Sequence, residues 1–236
     1  MRDSVYSNDK GQIVDFAFTQ EVVDVFPDMI RRSVMGYETM VPVTGLIAAR
    51  HLGLAGHAYD LGCSLGATTL AILSQNDSED IRVTGVDNST AMIKGAQAAV
   101  FDKRAHFVEQ DIRATDVSGA NVIVLNLVLQ FIDPVDRIPL LKGFRQQMHP
   151  QGILIVSEKV RHDDSRLHTL FNDTHLAWKK ANGYSDLEIS QKRSAIENVM
   201  KIDTEEMHQD RFAKAGFTDA HQWYRCMNWA SFIVQP

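Results

Sequence analysis

Residues 58–73 read AYDLGCSLGATTLAIL. An apolar run is followed by a turn that contains Gly62 and Gly66, and a helix-forming run begins directly after it. Glycine permits positive φ and close backbone approach, and the free amides at a helix start can bind polar ligand groups. Ser64 replaces the middle glycine of a dinucleotide fingerprint, which weakens the case for a bound pyrophosphate. The stretch therefore predicts a strand, a turn and a helix, either around a ligand or as a tight turn without one.

The same alternation of strand and helix continues along the chain. Near-continuous apolar runs are typical of strands that are buried on both faces of a parallel sheet. The predicted strands are HAYDLG, IRVTGVDN, AHFVEQD, NVIVLNLVL and GILIVSE, and the helices between them are ATTLAILSQ, STAMIKGAQAAV and DRIPLLKGFRQQM. The segment FAKAGFTDAHQWYRCMNWASFIV adds a helix end and two strand-like runs, which predict a final antiparallel pair. This order indicates a doubly wound α/β fold.

Three further segments flank or interrupt the alternating pattern. Residues 1–20 are mixed and polar, and we expect a loose N-terminal arm. Two helices broken near Gly36 follow it, because apolar residues recur there at intervals of three and four. Residues 159–203 have no strand pattern and predict a helical insertion with a break at Asn182–Gly183. We expect one domain over residues 1–236.

Composition restricts the partners of the chain. The 236 residues contain 24 Lys and Arg against 30 Asp and Glu, a net charge of −6. This balance argues against direct binding of nucleic acid or anionic membranes, although it leaves room for a small anionic substrate. The two cysteines, and the absence of an apolar leader or a membrane-length run from the sequence, favour a cytoplasmic protein with reduced thiols.

Polar residues mark three predicted strand ends. Asp87 lies 21 residues after Gly66, a spacing at which an acid accepts hydrogen bonds from ribose hydroxyls in nucleotide-binding folds. With Asn88 it could equally form a turn. Asp111 could accept from the exocyclic amine of an adenine. Asn126 lies in an apolar run, so it either binds a ligand or bonds to a neighbouring loop.

Metal and thiol chemistry find little support in the sequence. The nine histidines include no His-Glu-x-x-His motif, and no Cys-x-x-Cys is present, so no metal site is predicted. Cys63 lies in the glycine turn without a flanking histidine or basic residue. We therefore interpret it as a small residue that fits the turn and not as a nucleophile.

These motifs carry a family resemblance. The order DLGCSLG, VDN, EQDIR and HPQGILI resembles the class I S-adenosylmethionine-dependent methyltransferases. That likeness implies a Rossmann-like, mostly parallel seven-stranded sheet with an antiparallel last strand. From about Val23 to the C-terminus the chain is similar to the carboxy-S-adenosyl-L-methionine synthase family. The segments that carry this closer likeness are VFPDMIRRSVMGY, YDLGCSLGATTL, LNLVLQF and, most specifically, ANGYSDLEISQKRSAIENVM.

The resemblance implies a reaction different from methyl transfer. Members of the family combine S-adenosylmethionine with prephenate and form carboxy-S-adenosylmethionine, phenylpyruvate and water, for the pathway to uridine-5-oxyacetic acid at the tRNA wobble position. It assigns cofactor contacts to Tyr37, Gly62, Cys63, Ser64, Asp87, Asn88, Asp111, Ile112 and Asn126. It also assigns the new carboxylate to Arg193, which family members supply from the partner subunit of a homodimer. Arg31, Arg32, Lys159 and Arg161 are unranked candidates for binding prephenate.

Two other functions stay open at this point. An ordinary methyltransferase could act on a small molecule or on tRNA, although no Asp-Pro-Pro-Tyr or Asn-Pro-Pro-Tyr motif occurs at Asn126. A nucleotide-binding scaffold without catalysis could keep the same fold. On its own pattern Arg193 would be a solvated helix residue, as most arginines are.

Overall fold

The computed structural model describes residues 1–8, 17–197 and 199–236. No helix in these ranges is long and apolar enough to cross a membrane. The helices are α1 (Gln20–Ser33), α2 (Tyr37–Leu52), α3 (Ala67–Leu73), α4 (Thr90–Ala99), α5 (Pro134–Gln147), α6 (Ser165–Ala181), α7 (Asp186–Glu197) and α8 (Glu205–Lys214). The strands are β1 (Ala55–Leu61), β2 (Asp80–Asp87), β3 (Ala105–Glu109), β4 (Val122–Asn126), β5 (Ile153–Lys159), β6 (Asp219–Cys226) and β7 (Trp229–Gln235).

The strands form one seven-stranded sheet in the order β3-β2-β1-β4-β5-β7-β6. Strands β1 to β5 pair in parallel, and β7 is antiparallel to both of its neighbours. The predicted fold class and the antiparallel final pair are confirmed. Strand order reverses at β1, which lies between β2 and β4, and ligands of doubly wound folds bind outside the carboxyl ends of strands at such a reversal.

Burial of β4 explains why its sequence is apolar without alternation. Side chains along a strand point to opposite faces in turn. Ile123 and Leu125 pack into a core with residues of α5 and α8, whereas Val122 and Val124 pack into a second core with residues of α2, α3 and α4. Both faces of the sheet are therefore covered, as the near-continuous apolar runs predict.

The predicted helix breaks are also present. Gly36 has φ +77° and separates α1 from α2, and an added Cβ there would collide with the Tyr224 hydroxyl. In the insertion, α6 and α7 are separated at Gly183, which has φ +84°. Only glycine adopts this backbone region without steric cost, so both breaks are fixed by a residue type visible in the sequence.

The described part of the predicted N-terminal arm, residues 1–8, contacts the rest of the chain. Asp3 is 2% exposed, its backbone N–H donates to Asp28 Oδ2 at 2.7 Å, and Val5 is buried beside it. The polar composition concealed this contact because the carboxylate is buried against partners far away in the sequence. Of the predicted arm, residues 1–20, residues 9–16 lie outside the described residues. The single domain stays a prediction.

Candidate functional site

A cavity of about 930 Å³ opens at the carboxyl ends of β1, β2 and β4 and is closed from the other side by α1, α6 and α7. This volume is within the range of about 300–1,000 Å³ that is typical of small-molecule sites. All ten residues predicted for the site line it: Tyr37, Gly62, Cys63, Ser64, Asp87, Asn88, Asp111, Ile112, Asn126 and Arg193.

Backbone hydrogen bonds join the glycine turn to the neighbouring strand β2. The N–H groups of Gly62 and Cys63 donate to the Val86 carbonyl at 2.7 and 3.0 Å. Gly62 has φ +77°, and an added Cβ would lie 2.5 Å from Val128 Cγ2, so a side chain is excluded there. The turn therefore forms part of the cavity wall directly after the end of β1.

A buried acid that the sequence analysis did not single out supports this turn. Asp60, on β1, accepts hydrogen bonds from the Thr69 N–H at 3.0 Å and the Thr69 hydroxyl at 2.7 Å. Burial raises the pKa of Asp60 to about 6. The bonds hold the first turn of α3 beneath the glycine turn. An acid inside an apolar strand was the available signal.

Asp87 joins two backbone segments at the cavity wall. Its Oδ2 accepts from the Ser64 N–H and its Oδ1 from the Ser89 N–H, both at 2.9 Å. Burial raises the pKa of Asp87 above its ordinary value. Each carboxylate oxygen can accept more than one hydrogen bond, so both keep capacity for ligand hydroxyls. Asp87 therefore stabilises the turn and keeps free acceptor capacity, so its turn-forming role and the predicted role of a ribose-binding acid are compatible.

Only one of the two polar groups of the Asn126 side chain has a hydrogen-bond partner among the described residues. Its Nδ2 donates to Thr68 Oγ1 at 3.2 Å, while its buried Oδ1 has no hydrogen-bond partner among the described residues. A buried acceptor without a partner costs about 1–3 kcal/mol. A ligand donor at this end of the cavity would remove that cost.

Asp111, Tyr37 and Cys63 complete this part of the wall. Asp111 is paired with Arg113, Oδ2 to Nη2 at 2.6 Å, and this pairing lowers the pKa of Asp111. Tyr37 begins α2, and burial raises the pKa of its hydroxyl to about 12. Burial, with Asp60 and Asp87 nearby, raises the pKa of the Cys63 thiol. A thiol held in its protonated form is a poor nucleophile.

The opposite part of the cavity is basic. We call Lys159, Lys179, Lys192 and Arg193 the basic end, and the glycine turn with Asp87, Asp111 and Asn126 the strand end; residues of both line the cavity. Burial, together with neighbouring positive charges, lowers the pKa of Lys159 to about 8 and that of Lys179 to about 7. Among the described residues, only Lys192 of these four lies within 4 Å of a carboxylate, 3.8 Å from Asp3.

The structure separates the four residues that the sequence offers for binding an anionic substrate, which are Arg31, Arg32, Lys159 and Arg161. Lys159 and Arg31 line the cavity. Arg32 does not, because its guanidinium binds Asp28 at 2.9 Å and the Asn182 carbonyl at 2.7 Å. Arg161 is turned to Asp163 at 2.6 Å. Lys179 and Lys192 were missed because no motif links them to β5; folding alone brings them together.

Arg193 lines the cavity of its own chain. It lies on α7 and is exposed, next to the buried Lys192. The resemblance implies that this arginine reaches the site from a partner subunit, and that arrangement stays a prediction. Among the described residues, no group of three or more His, Cys, Asp or Glu side chains could hold a metal ion.

Comparison with known proteins identifies the family. A family model described as a methyltransferase domain matches residues 59–154. A protein from Pseudomonas fluorescens (strain Pf0-1) is 46% identical, over 99% of this chain and 98% of that protein. One from Pseudomonas putida (strain F1) is 47% identical over the same shares. Both are named carboxy-S-adenosyl-L-methionine synthase. The chain belongs to this family. The predicted enzyme family is therefore confirmed.

A solved structure supports the fold independently. An O-methyltransferase family protein from Burkholderia thailandensis superposes with a TM-score of 0.68 at 16% identity, over 92% of this chain and 60% of that one. At this identity the likeness concerns the class I methyltransferase fold alone. Family and fold imply S-adenosylmethionine as a bound molecule. The residues fit it, because the cavity has the volume of a small-molecule site and Asn126 keeps an unused buried acceptor.

Proposed function

We propose that the chain synthesises carboxy-S-adenosyl-L-methionine from S-adenosylmethionine and prephenate, with phenylpyruvate and water as the other products. The observation that carries this proposal is the division of one cavity into a strand end suited to an adenosyl group and a basic end. Several cations in the cavity favour an anionic second substrate, whereas methyl transfer to a neutral acceptor needs none. Prephenate carries two carboxylates, and the product carries a new one, so this reaction needs them.

At the strand end, the chain's own groups would bind and orient the first substrate. Asp87 would accept from the ribose hydroxyls, and Asn126 Oδ1 would accept from a polar hydrogen of the ligand. Asp111 and Ile112 would flank the adenine. When bound, S-adenosylmethionine supplies a methyl group that its sulfonium makes acidic.

At the basic end, the lysines and Arg193 would hold the carboxylates. The Arg193 guanidinium can form two parallel hydrogen bonds with one carboxylate. Lys159 and Lys179 supply positive charge from a partly buried position, where electrostatic attraction is stronger than in water. Bound carboxylates in turn favour the protonated amines. Placing both reactants in one enclosed cavity replaces a bimolecular encounter and keeps bulk water away.

The overall reaction balances. The carboxyl group that prephenate loses becomes the new carboxyl on the methyl carbon, and prephenate's ring becomes aromatic as phenylpyruvate. The hydroxide that leaves the ring and the proton that leaves the methyl group combine as water. No oxidant or metal is required for this balance.

We further propose a homodimer that works in the cytoplasm and supplies a carboxymethyl donor for tRNA wobble uridine modification by a later enzyme. Support for a second copy comes from the insertion, where Leu170 is 58% and Leu187 is 44% exposed. Cys63 and Cys226 are both free, as expected for reduced thiols. The net charge of −6 supports a small-molecule role, with tRNA left to the later enzyme.

Mass spectrometry of a reaction with both substrates tests the proposal. Purified protein with S-adenosylmethionine and prephenate should form a species heavier than S-adenosylmethionine by one carbon dioxide, together with phenylpyruvate. Replacing prephenate with phenylpyruvate is the control and should give none. A reaction that leaves S-adenosylmethionine unchanged would refute the proposal, and formation of S-adenosylhomocysteine with an added acceptor would favour methyl transfer.

A further inference from the structure

The N-terminal segment, residues 1–8, contacts the helix that carries Arg193. The Gln191 side chain, on α7, donates to the Tyr6 and Asn8 carbonyls at 3.1 and 2.9 Å. Arg2 donates to the Gly183 carbonyl at 2.9 Å, just before α7 begins. The segment thus lies across both ends of the 183–191 stretch and limits its movement relative to the sheet.

Asp3 is the centre of these contacts. Its buried carboxylate accepts a hydrogen bond from the Tyr184 hydroxyl, and Lys192 Nζ lies 3.8 Å from the same oxygen. The Asp3 carbonyl accepts from Arg32 at 3.4 Å, and Arg32 in turn stacks on the Tyr184 ring at 3.9 Å. A carboxylate that is 2% exposed, bonded to the Tyr184 hydroxyl and close to the Lys192 ammonium is a specific arrangement, since a buried acid without partners would be strongly unfavourable.

We propose that Asp3 is a positioning residue for the second substrate: it holds α7 in place and keeps Lys192 charged at the basic end of the cavity. The inference rests on the proposed function, because it assigns the basic end to carboxylates. Asp3 itself does not line the cavity. It acts through Lys192, which does, and which also donates to Ser33 Oγ at 2.9 Å.

The charges around Lys192 determine the sign of the effect. The groups near it are Asp3 from the N-terminal segment, Asp28 and Arg32 from α1, Tyr184 before α7, Lys179 and His175 from α6, and its chain neighbour Arg193 on α7; Lys159 on β5 lines the same cavity. Burial lowers the pKa of Lys192 to about 8, and Asp3 opposes that decrease. Removing the carboxylate therefore leaves a lysine that loses its proton at lower pH.

The variant Asp3→Asn tests this, with the exposed Asp24→Asn on α1 as its matched control. The KM for prephenate should rise about tenfold, the loss expected for one charge-assisted contact. The alkaline limb of kcat/KM for prephenate should move down by about one pH unit. The affinity of Asp3→Asn for S-adenosylmethionine should stay unchanged, and Asp24→Asn should keep the wild-type KM and pH profile. Asp3→Glu should restore function in part. In a Lys192→Gln background, Asp3→Asn should cause no further shift of the alkaline limb.

Calorimetric titration with phenylpyruvate at two pH values gives a readout apart from turnover, with thermal unfolding as the check on folding. Asp3→Asn should bind it more weakly, and more so at high pH. A raised KM with an unmoved limb would reduce Asp3 to a structural residue, and an unchanged KM would exclude any role. If the wild-type protein forms no carboxylated product, the proposed function fails, whereas the titration still tests Asp3. Should Asp3→Asn not fold, Lys192→Gln decides in its place: an alkaline limb and a KM for prephenate identical to those of the wild type overturn the proposal.

Discussion

The two ends of the cavity are built in different ways. The strand end comes from turns that directly follow β1, β2 and β4, and its groups are fixed by backbone hydrogen bonds such as those from Gly62 and Cys63 to Val86. The basic end comes from side chains on β5, α6 and α7. One end is thus rigid and neutral to acidic, whereas the other is cationic and depends on how the insertion packs.

This difference predicts separable functions. Changes at the basic end should affect the carboxylate-bearing reactant and leave the adenosyl group bound, and changes at the strand end should do the reverse. The lysines of the basic end have pKa values near neutral pH, so they should give the binding of the carboxylate-bearing reactant a pH dependence in that range.

The largest effect is expected for Arg193→Leu. Two hydrogen bonds to a charged carboxylate are worth about 3 kcal/mol together, so carboxylation should fall by about a hundredfold. Affinity for S-adenosylmethionine, measured by calorimetry, should change little. Arg166→Leu on α6 is the control, since its side chain is 94% exposed. Normal product formation by Arg193→Leu would remove this arginine from the site.

Asp87→Ala should produce the next largest effect, at the other end. Loss of the ribose hydrogen bonds should weaken S-adenosylmethionine binding by about 1–3 kcal/mol. The KM for prephenate at saturating S-adenosylmethionine should stay close to that of the wild type. Asp77→Ala, at an exposed position, serves as the control for the loss of one acidic charge. Equal cofactor affinity in the two variants would contradict the assignment of Asp87.

The pH dependence should separate the two ends in the wild-type protein. Lysines bind carboxylates when protonated, and the pKa is about 7 for Lys179 and about 8 for Lys159. The kcat/KM for prephenate should therefore fall about tenfold per pH unit between about pH 7 and about pH 8 and more steeply above that, while S-adenosylmethionine affinity stays constant.

Lys179→Arg sharpens this test. Arginine keeps its charge throughout the range, so the variant should lose the lower part of the decline. A profile that is flat between the two pKa values in the wild type would show that these lysines do not bind the substrate.

The smallest effect is expected for Asn126→Ala. The variant loses an acceptor that only a ligand would satisfy, so S-adenosylmethionine affinity should fall about fivefold, or roughly 1 kcal/mol. Thermal stability without ligand should fall by no more than about 1 kcal/mol, because only the hydrogen bond from Nδ2 to Thr68 is lost and Oδ1 contributes none among the described residues. Thr68→Val is the companion variant, since it removes the Asn126 Nδ2 partner and keeps Oδ1. If Asn126→Ala binds as well as the wild type, Asn126 is structural.

Much of the strand end could be predicted from the amino-acid sequence. Apolar runs of strand length, glycines after β1 and polar residues at strand ends are local patterns, and their spacing reports the sheet directly. The predicted breaks at Gly36 and Asn182–Gly183 were correct for the same reason, since a positive φ is a property of single residues. Asp60 was overlooked although it lies in a predicted strand, because the role of an acid there depends on Thr69 beneath it.

The basic end, and the N-terminal segment that packs on it, could not be found in this way. Lys159, Lys179 and Lys192 belong to three elements, and each looks like an ordinary charged residue in a segment whose charges balance. Their lowered pKa values come from burial and from repulsion by neighbouring cations, which arise only when the chain is folded. Likewise, Asp3 belongs to a polar stretch and meets Tyr184 only through long-range packing. Local patterns along the chain thus specify the sheet and its turns, whereas a set of cations from distant segments acquires its chemistry from tertiary contacts.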